Sequence, residues 1–428
     1  MGIFKAYDIR GLFPSEIDEA VAARIGKAIG TIIDGGYVYV NRDGREGSRR
    51  IEKRFIEGLR STGTSVRFLG VGPVMIPAMY SFNEKAWAVC ITASHNPAEY
   101  TGIILMHNGV TCDPDEIKRV YESERFREGR GGLTYVQDVA EEYSDFVTQG
   151  VEGTNFMIGI DTMGGAAAVV VGHVCKKIGA VPVLMNEGIS ENFFGNEPEP
   201  SKEHSSELSR MVVDRMLDFG VQFDGDGDRL GVVDERGEFI EPIVIGIIIA
   251  KYNGFRKVLA DVTVSRILEK HAEVTYSRVG HRFIEEALAC GGIDFAAESS
   301  AHFYFGRYYP FSDGLLAMVT LAKALKESGR PLSKLADEVG KPHYSTYRIR
   351  IEDPERRKEA VRRAAAKAEA MGRVDHADGC KLMFDDGFVL IRESNTEPII
   401  KVYCDGDDET ALGRMLALSR ELLGQDRQ

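Results

Sequence analysis

Three carboxylates at alternate positions, Asp224, Asp226 and Asp228, stand in the run Asp224-Gly225-Asp226-Gly227-Asp228-Arg229. At that spacing they repel one another, and the intervening glycines let the backbone wrap a small ion. Oxygen donors of this kind select magnesium or a similar hard cation over zinc. An EF-hand calcium loop would place Asp224, Asp226, Asp228 and Glu235 at positions one, three, five and twelve. It fails because Arg229 falls where that loop needs glycine, and residues 230–233 read as a strand leading into the Arg236-Gly237 turn. An acidic surface turn would leave the three aspartates uncompensated.

Three further segments carry suitable groups. Thr92-Ala93-Ser94-His95-Asn96-Pro97 follows the β-like run 87–91. Ser94 is thus expected at the carboxyl end of a strand, where open α/β sheets bind ligands. Arg392-Glu393-Ser394-Asn395-Thr396-Glu397-Pro398 offers a guanidinium, hydroxyls, an amide and backbone N–H groups, which together make a phosphate cradle. Glu298-Ser299-Ser300-Ala301-His302, after a strand at 294–297, supplies acceptors and donors that suit sugar hydroxyls.

Alternating elements must position these groups. Ser15 and Asp18 resemble a capping box opening a helix with Ile17, Val21, Ile25, Ala28, Ile29 and Ile32 on one stripe. Strands at 37–40, 64–69 and 86–92 and a helix at 48–59 follow, as in an α/β layer fold with a largely parallel sheet. The same rhythm restarts near residues 156 and 257 without an exact sequence repeat. From 346 the pattern changes to a strand, a helix at 354–371, a hairpin around Asp386-Gly387, a strand at 399–404 and a terminal helix from near Asp408. The reading is three similar α/β/α domains with mixed, largely parallel sheets and a C-terminal α+β domain, around a central cleft. Its boundaries are 1–150, 151–253, 254–341 and 342–428.

A chain of 428 residues, 43% apolar and 28% charged, is too long for one core and has the composition of a globular protein. The apolar run 243–250 is too short to span a bilayer, and no secretory signal opens the sequence. The net charge of -13 argues against nucleic acid as the main partner. The basic run 356–367 reads as a solvated helix face, with Glu359 four residues before Arg363. Six scattered cysteines without a C-x-x-C pair read as reduced thiols in a cytoplasm.

Taken together, the four segments resemble the α-D-phosphohexomutase superfamily, in its phosphomannomutase/phosphoglucomutase branch, from Phe4 to about Tyr403 and in the family's order. The resemblance implies a mutase that interconverts hexose 1-phosphate and 6-phosphate of mannose or glucose. The reaction would pass through a phosphorylated Ser94 and a hexose bisphosphate. One Mg²⁺ per chain would be held by Asp224, Asp226, Asp228 and Ser94. Ser94, His95, Arg10 and Arg229 are the catalytic candidates. Tyr7, Arg278, Gly280, His281, Glu298, Ser300, His302, Arg392, Ser394, Asn395 and Thr396 are the substrate-binding candidates. Arg42-Asp43-Gly44-Arg45 resembles a further strand-end motif of the family. The chain departs from the pattern at Ile104, where a lysine assigned to acid/base work is usual, at Ala297 and Ala301, which replace glycines, and at Lys401, which replaces an arginine. These departures leave open an amino sugar or pentose substrate, or a sugar-phosphate binder with little turnover. The expected partner is a small sugar phosphate, without nucleic acid or membrane, for a monomer or small homo-oligomer.

Overall fold

The computed structural model describes residues 2–394 and 397–424. Four sheets follow one another along the chain. In the first, the strands Tyr37–Arg42, Ser65–Val71, Trp87–Ile91 and Leu133–Tyr135 run parallel, and Tyr100–His107 and Ile9–Leu12 close one side antiparallel. The second pairs Met157–Asp161 in parallel with Val181–Met185 and Phe219–Phe223, then turns antiparallel through Leu230–Asp234. The third repeats this with Lys257–Asp261, Glu273–Ser277 and Phe295–Ala297, then Phe303–Phe305. The fourth is antiparallel throughout and carries the helices Pro354–Glu369 and Glu409–Leu423 on its strands.

Local chemistry explains the helix ends. Asp353 and Asp408 cap the last two long helices, the first accepting from the Glu355 and Arg356 N–H groups and the second from that of Ala411. The first helix starts three residues later than a Ser15 cap would require. Asp18 accepts from Ala20 and Val21 and opens Glu19–Ile33. The apolar run near residue 245 is a helix, Pro242–Tyr252, buried all round against Gly314–Ser328, Leu332–Val339 and the third sheet. Among the described residues no helix is long and apolar enough to cross a membrane.

The first three units share one apolar core. Tyr39, Cys90 and Met106 from the first sheet, Phe223 and Val232 from the second, and Phe295 and Phe305 from the third belong to a single contiguous cluster. The fourth unit has its own core, built from Leu382, Val389, Ile400, Val402 and Met415. It meets the third through a small cluster around Val262, Phe388 and Leu390.

Candidate active site

Three of the four chemical segments occupy the same place in three repeats. Each links a parallel strand to the antiparallel strand beside it. Residues 92–99 join Trp87–Ile91 to Tyr100–His107, residues 224–229 join Phe219–Phe223 to Leu230–Asp234, and residues 298–302 join Phe295–Ala297 to Phe303–Phe305. A reversal of strand direction leaves the loop outside the carboxyl end of the sheet, as expected for Ser94.

The loops meet. Ser94 Oγ donates to Asp224 Oδ2 at 3.0 Å, and Thr92 Oγ1 donates to Asp226 Oδ2 at 3.0 Å. The Thr92 oxygen also receives the Ser94 N–H at 2.9 Å. Ser94 has φ 49°, in the left-handed region that costs a residue with a Cβ roughly 1–2 kcal/mol. Strain of this sort gathers at functional loops. The loops come so close that a Cβ on Gly225 would stand 2.5 Å from the Ser94 carbonyl oxygen. That carbonyl also accepts from the buried Arg45 guanidinium, which Asp43 holds at 2.9 Å.

The aspartate loop is fixed from three sides. Val74 N–H, from the first unit, donates to Asp226 O at 3.1 Å, and Ala166 N–H, from the second, donates to Gly225 O at 3.0 Å. Ser312 Oγ, from the third, donates to Asp228 O at 2.8 Å. Leu230 N–H then bonds Ala301 O at 3.0 Å, bridging the loop to residues 298–302.

One ligand oxygen from each of Asp224, Asp226 and Asp228 lies within 4.8 Å of the others. At an effective dielectric of about 20, two like charges at that separation repel by about 3.5 kcal/mol. Asp226 Oδ1 is buried and has no hydrogen-bond partner among the described residues. Burial, then the neighbouring aspartates, pushes Asp226 well above the usual carboxylate range, and burial with Asp228 raises Asp224 to about 6. Burial raises Asp228, but His302, Arg229 and His281 together bring it below its ordinary value. The cluster therefore fits a hard divalent cation, which would relieve the repulsion and occupy the orphaned oxygen.

Basic groups surround these oxygens. Arg229 is buried. It donates to Glu199 Oε1 at 3.0 Å and through Nη2 to His95 Nδ1 at 2.6 Å, and its Nε lies 3.8 Å from Asp224 Oδ2. Because Arg229 donates to it, His95 Nδ1 carries a lone pair, and it stands 3.2 Å from Ser94 Oγ. Burial, then Arg229, holds His95 well below the usual imidazole range, so it is a neutral base. His302 lies between Glu298 at 3.1 Å and Asp228 at 3.5 Å. Although burial opposes it, the Asp228 charge brings His302 up to about 10. Tyr304 fixes Glu298 with a hydrogen bond of 2.8 Å, and Ser300 Oγ lies 2.8 Å from His302 Nδ1.

The remaining candidates form an outer ring. Arg10 bonds Asn96 and Asp8. Tyr7 packs on Gly280 and lies tilted against the His281 ring at 5.5 Å. Arg278 is exposed and lies over the Phe283 ring. Arg392 is buried, with Nε on Asp378 at 3.1 Å and, among the described residues, no hydrogen-bond partner for Nη2. Ser394 is half-buried, and Asn395 and Thr396 lie outside the described residues.

The sequence departures also find places. Ile104 belongs to the shared apolar core. Ala301 takes φ 68°, and Ala297 faces Gly246, whose missing side chain makes room for the extra methyl. Sequence reasoning gave Thr92 no role, although it opens the serine motif, and passed over Glu199, Ser312 and Asp378. Of these three only Glu199 carried a local signal, the proline-bracketed Glu197-Pro198-Glu199-Pro200.

Four family profiles match in order. Phosphoglucomutase/phosphomannomutase alpha/beta/alpha domain I covers residues 1–128, domain II 134–237, domain III 244–342 and the C-terminal domain 348–421. A phosphomannomutase of Methanocaldococcus jannaschii is 30% identical, covering 99% of this chain and 98% of its own. A phosphoglucomutase of Neisseria gonorrhoeae is 32% identical over 96% and 95%. The crystal structure of a phosphoglucomutase/phosphomannomutase family protein from Burkholderia thailandensis superposes with a TM-score of 0.90 at 28% identity, over 98% of this chain and 96% of that one.

Proposed function

The chain belongs to the phosphoglucomutase/phosphomannomutase family, and from that premise we propose that it interconverts hexose 1-phosphate and hexose 6-phosphate through a phosphoryl group carried on Ser94. The observation that carries this reading is the 3.0 Å approach of Ser94 Oγ to Asp224 in a buried triad that needs a cation.

Phosphoryl transfer depends mainly on alignment and on neutralising charge at the moving group. Asp224, Asp226, Asp228 and the oxygen at Ser94 would hold Mg²⁺, which supplies Lewis-acid charge neutralisation when bound. Arg392 and Ser394, with Asn395 and Thr396, anchor the phosphate already on the sugar. Glu298, Ser300 and His302 receive its hydroxyls. The free sugar hydroxyl attacks the phosphoryl and gives up its proton, the P–Oγ bond to Ser94 breaks as Oγ takes one up, and the sugar becomes a bisphosphate. After this intermediate turns over in the site, Ser94 takes back the other phosphate. On the return step the Ser94 hydroxyl gives up its proton and the sugar oxygen that leaves takes one, while His95 orients Ser94 Oγ and Arg229 and Arg10 face the peripheral oxygens. Ile104 takes no part, since it is packed in the core.

Mannose and glucose phosphates are the leading substrates. Amino sugar or pentose phosphates, or binding with little turnover, are the alternatives that Ala297 and Ala301 keep in view. A coupled assay over a panel of hexose, amino-sugar and pentose 1-phosphates, at saturating magnesium with a hexose bisphosphate activator, tests the reading. Turnover on hexose phosphates that Ser94→Ala lacks supports it. No turnover on any sugar by protein with phosphorylated Ser94 favours the binder.

A further inference from the structure

Asp378 lies in the turn between the strands Arg373–Asp375 and Cys380–Phe384 of the fourth unit. Its two oxygens face two different units. Oδ1 accepts from Arg392 Nε at 3.1 Å, and Oδ2 accepts from the backbone N–H of Val279, in the third unit, at 3.0 Å. The Val279 carbonyl in turn accepts the Tyr7 hydroxyl at 2.8 Å. Val279 is thus tied to the first unit by its C=O and to the fourth by its N–H, directly before Gly280 and His281.

The turn is shaped for this contact. Gly379 has φ 89°, and a Cβ there would stand 2.5 Å from Ile391 O and 2.7 Å from Arg392 Cβ. Only glycine lets the turn press against the Arg392 backbone and bring the adjacent carboxylate to its Nε. A guanidinium is planar, so fixing Nε also fixes the direction of Nη2, which is buried and makes no hydrogen bond among the described residues. An ordinary ion pair would commit both carboxylate oxygens to the arginine. Asp378 instead divides them between the phosphate arginine and the loop that carries His281.

We propose that Asp378 is a positioning residue that aims Arg392 at the sugar phosphate and, through Val279, sets the Gly280–His281 loop in the same movement. Substrate phosphate and sugar ring are then gripped together. This rests on the mutase reading above. Anchoring of this kind acts equally on bound substrate and transition state, so its loss appears in KM and Kd more than in kcat.

The test measures glucose 6-phosphate binding by calorimetry, together with steady-state kinetics, for wild type, Asp378→Asn, Asp378→Ala and Tyr344→Phe. Tyr344 bonds Thr263 O at 2.8 Å across the same seam without touching Arg392, and so reports the seam alone. Asp378→Ala is expected to raise Kd and KM roughly 10- to 100-fold with kcat within about threefold. Asp378→Asn, which keeps the shape and one acceptor, should fall between, and Tyr344→Phe should stay within about twofold of wild type. Wild-type affinity in Asp378→Asn or Asp378→Ala would overturn the proposal, as would an equal rise in Tyr344→Phe. If Asp378→Ala fails to fold, the Asn variant decides by the same criterion. Absence of glucose, mannose and glucosamine 6-phosphate binding by the wild type would sink the mutase reading itself, and this proposal with it.

Discussion

The Asp224–Asp228 loop and the strand end at Arg392 both face phosphate in the proposed reaction, yet the molecule holds them in opposite ways. The aspartate loop is bonded by backbone or side-chain donors of three units whose apolar core is continuous. Arg392 rides on a unit with a separate core, joined to the rest by Val262, Phe388 and Leu390, by Lys381 bonding Val262 O at 2.8 Å and by Arg266 bonding Phe384 O at 3.1 Å. A small seam between independent cores is where units move against each other. The difference matches the chemistry. The reacting end demands fixed geometry, whereas the anchoring end must release and regrip a bisphosphate whose two phosphates exchange places.

The contrast can be broken most severely at the fixed end. Asp226→Asn should lower kcat by ~100-fold or more and raise the magnesium concentration needed, while leaving sugar-phosphate binding by calorimetry nearly intact. An unchanged magnesium dependence would remove Asp226 from the cation site. A milder probe is Ser312→Ala, which deletes the bond to Asp228 O. Losing about 1 kcal/mol of loop positioning predicts a kcat decrease of about fivefold with KM unchanged, read by initial rates. A rise in KM alone would mean that Ser312 acts on binding instead.

The smallest effect concerns stability, and it separates the two seams by sign. Glu285, of the third unit, accepts from the Thr111 N–H of the first at 2.7 Å, and burial raises it to about 8. Its folded value lies above its unfolded one, so its contribution is full below about pH 4.5 and is lost as pH rises through 8. Lys381, in the seam to the fourth unit, is lowered by burial to about 8. Its contribution is present at alkaline pH and is lost as pH falls through 8. Thermal melts at pH 6 and pH 9 should show Glu285→Gln flattening the alkaline loss of Tm and Lys381→Met flattening the loss on the acid side. Parallel slopes in the two variants would contradict the assignment.

The sequence already carried most of the fixed end. Alternation of strand and helix pointed to the three α/β units, and the charge crowding of Asp224, Asp226 and Asp228 pointed to a place where a cation could be held. The cap at Asp18 was misread by three residues because Ser15 and Asp18 are both good caps, and which one closes the helix depends on the turn before it. The antiparallel return of Tyr100–His107 was not legible. It is an interior strand buried along residues 101–106, and its apolar run has no period to separate it from a parallel one. What holds the loops together was illegible for another reason. Thr92 meets Asp226 across 134 residues of chain, Ser312 meets Asp228 across 84, and Asp378 meets Val279 across 99. Such contacts leave no spacing signature. Glu285 and Lys381 look like ordinary surface charges in the sequence, and only packing between units shows them buried.

The most direct measurement is intact-protein and peptide mass spectrometry after incubation with magnesium and glucose 1,6-bisphosphate, followed by addition of glucose 1-phosphate. The account predicts one phosphoryl group on wild-type protein, mapped to Ser94, discharged by the sugar monophosphate and absent from Ser94→Ala. A phosphoryl group mapped to another residue, or sustained mutase turnover by Ser94→Ala, would contradict it.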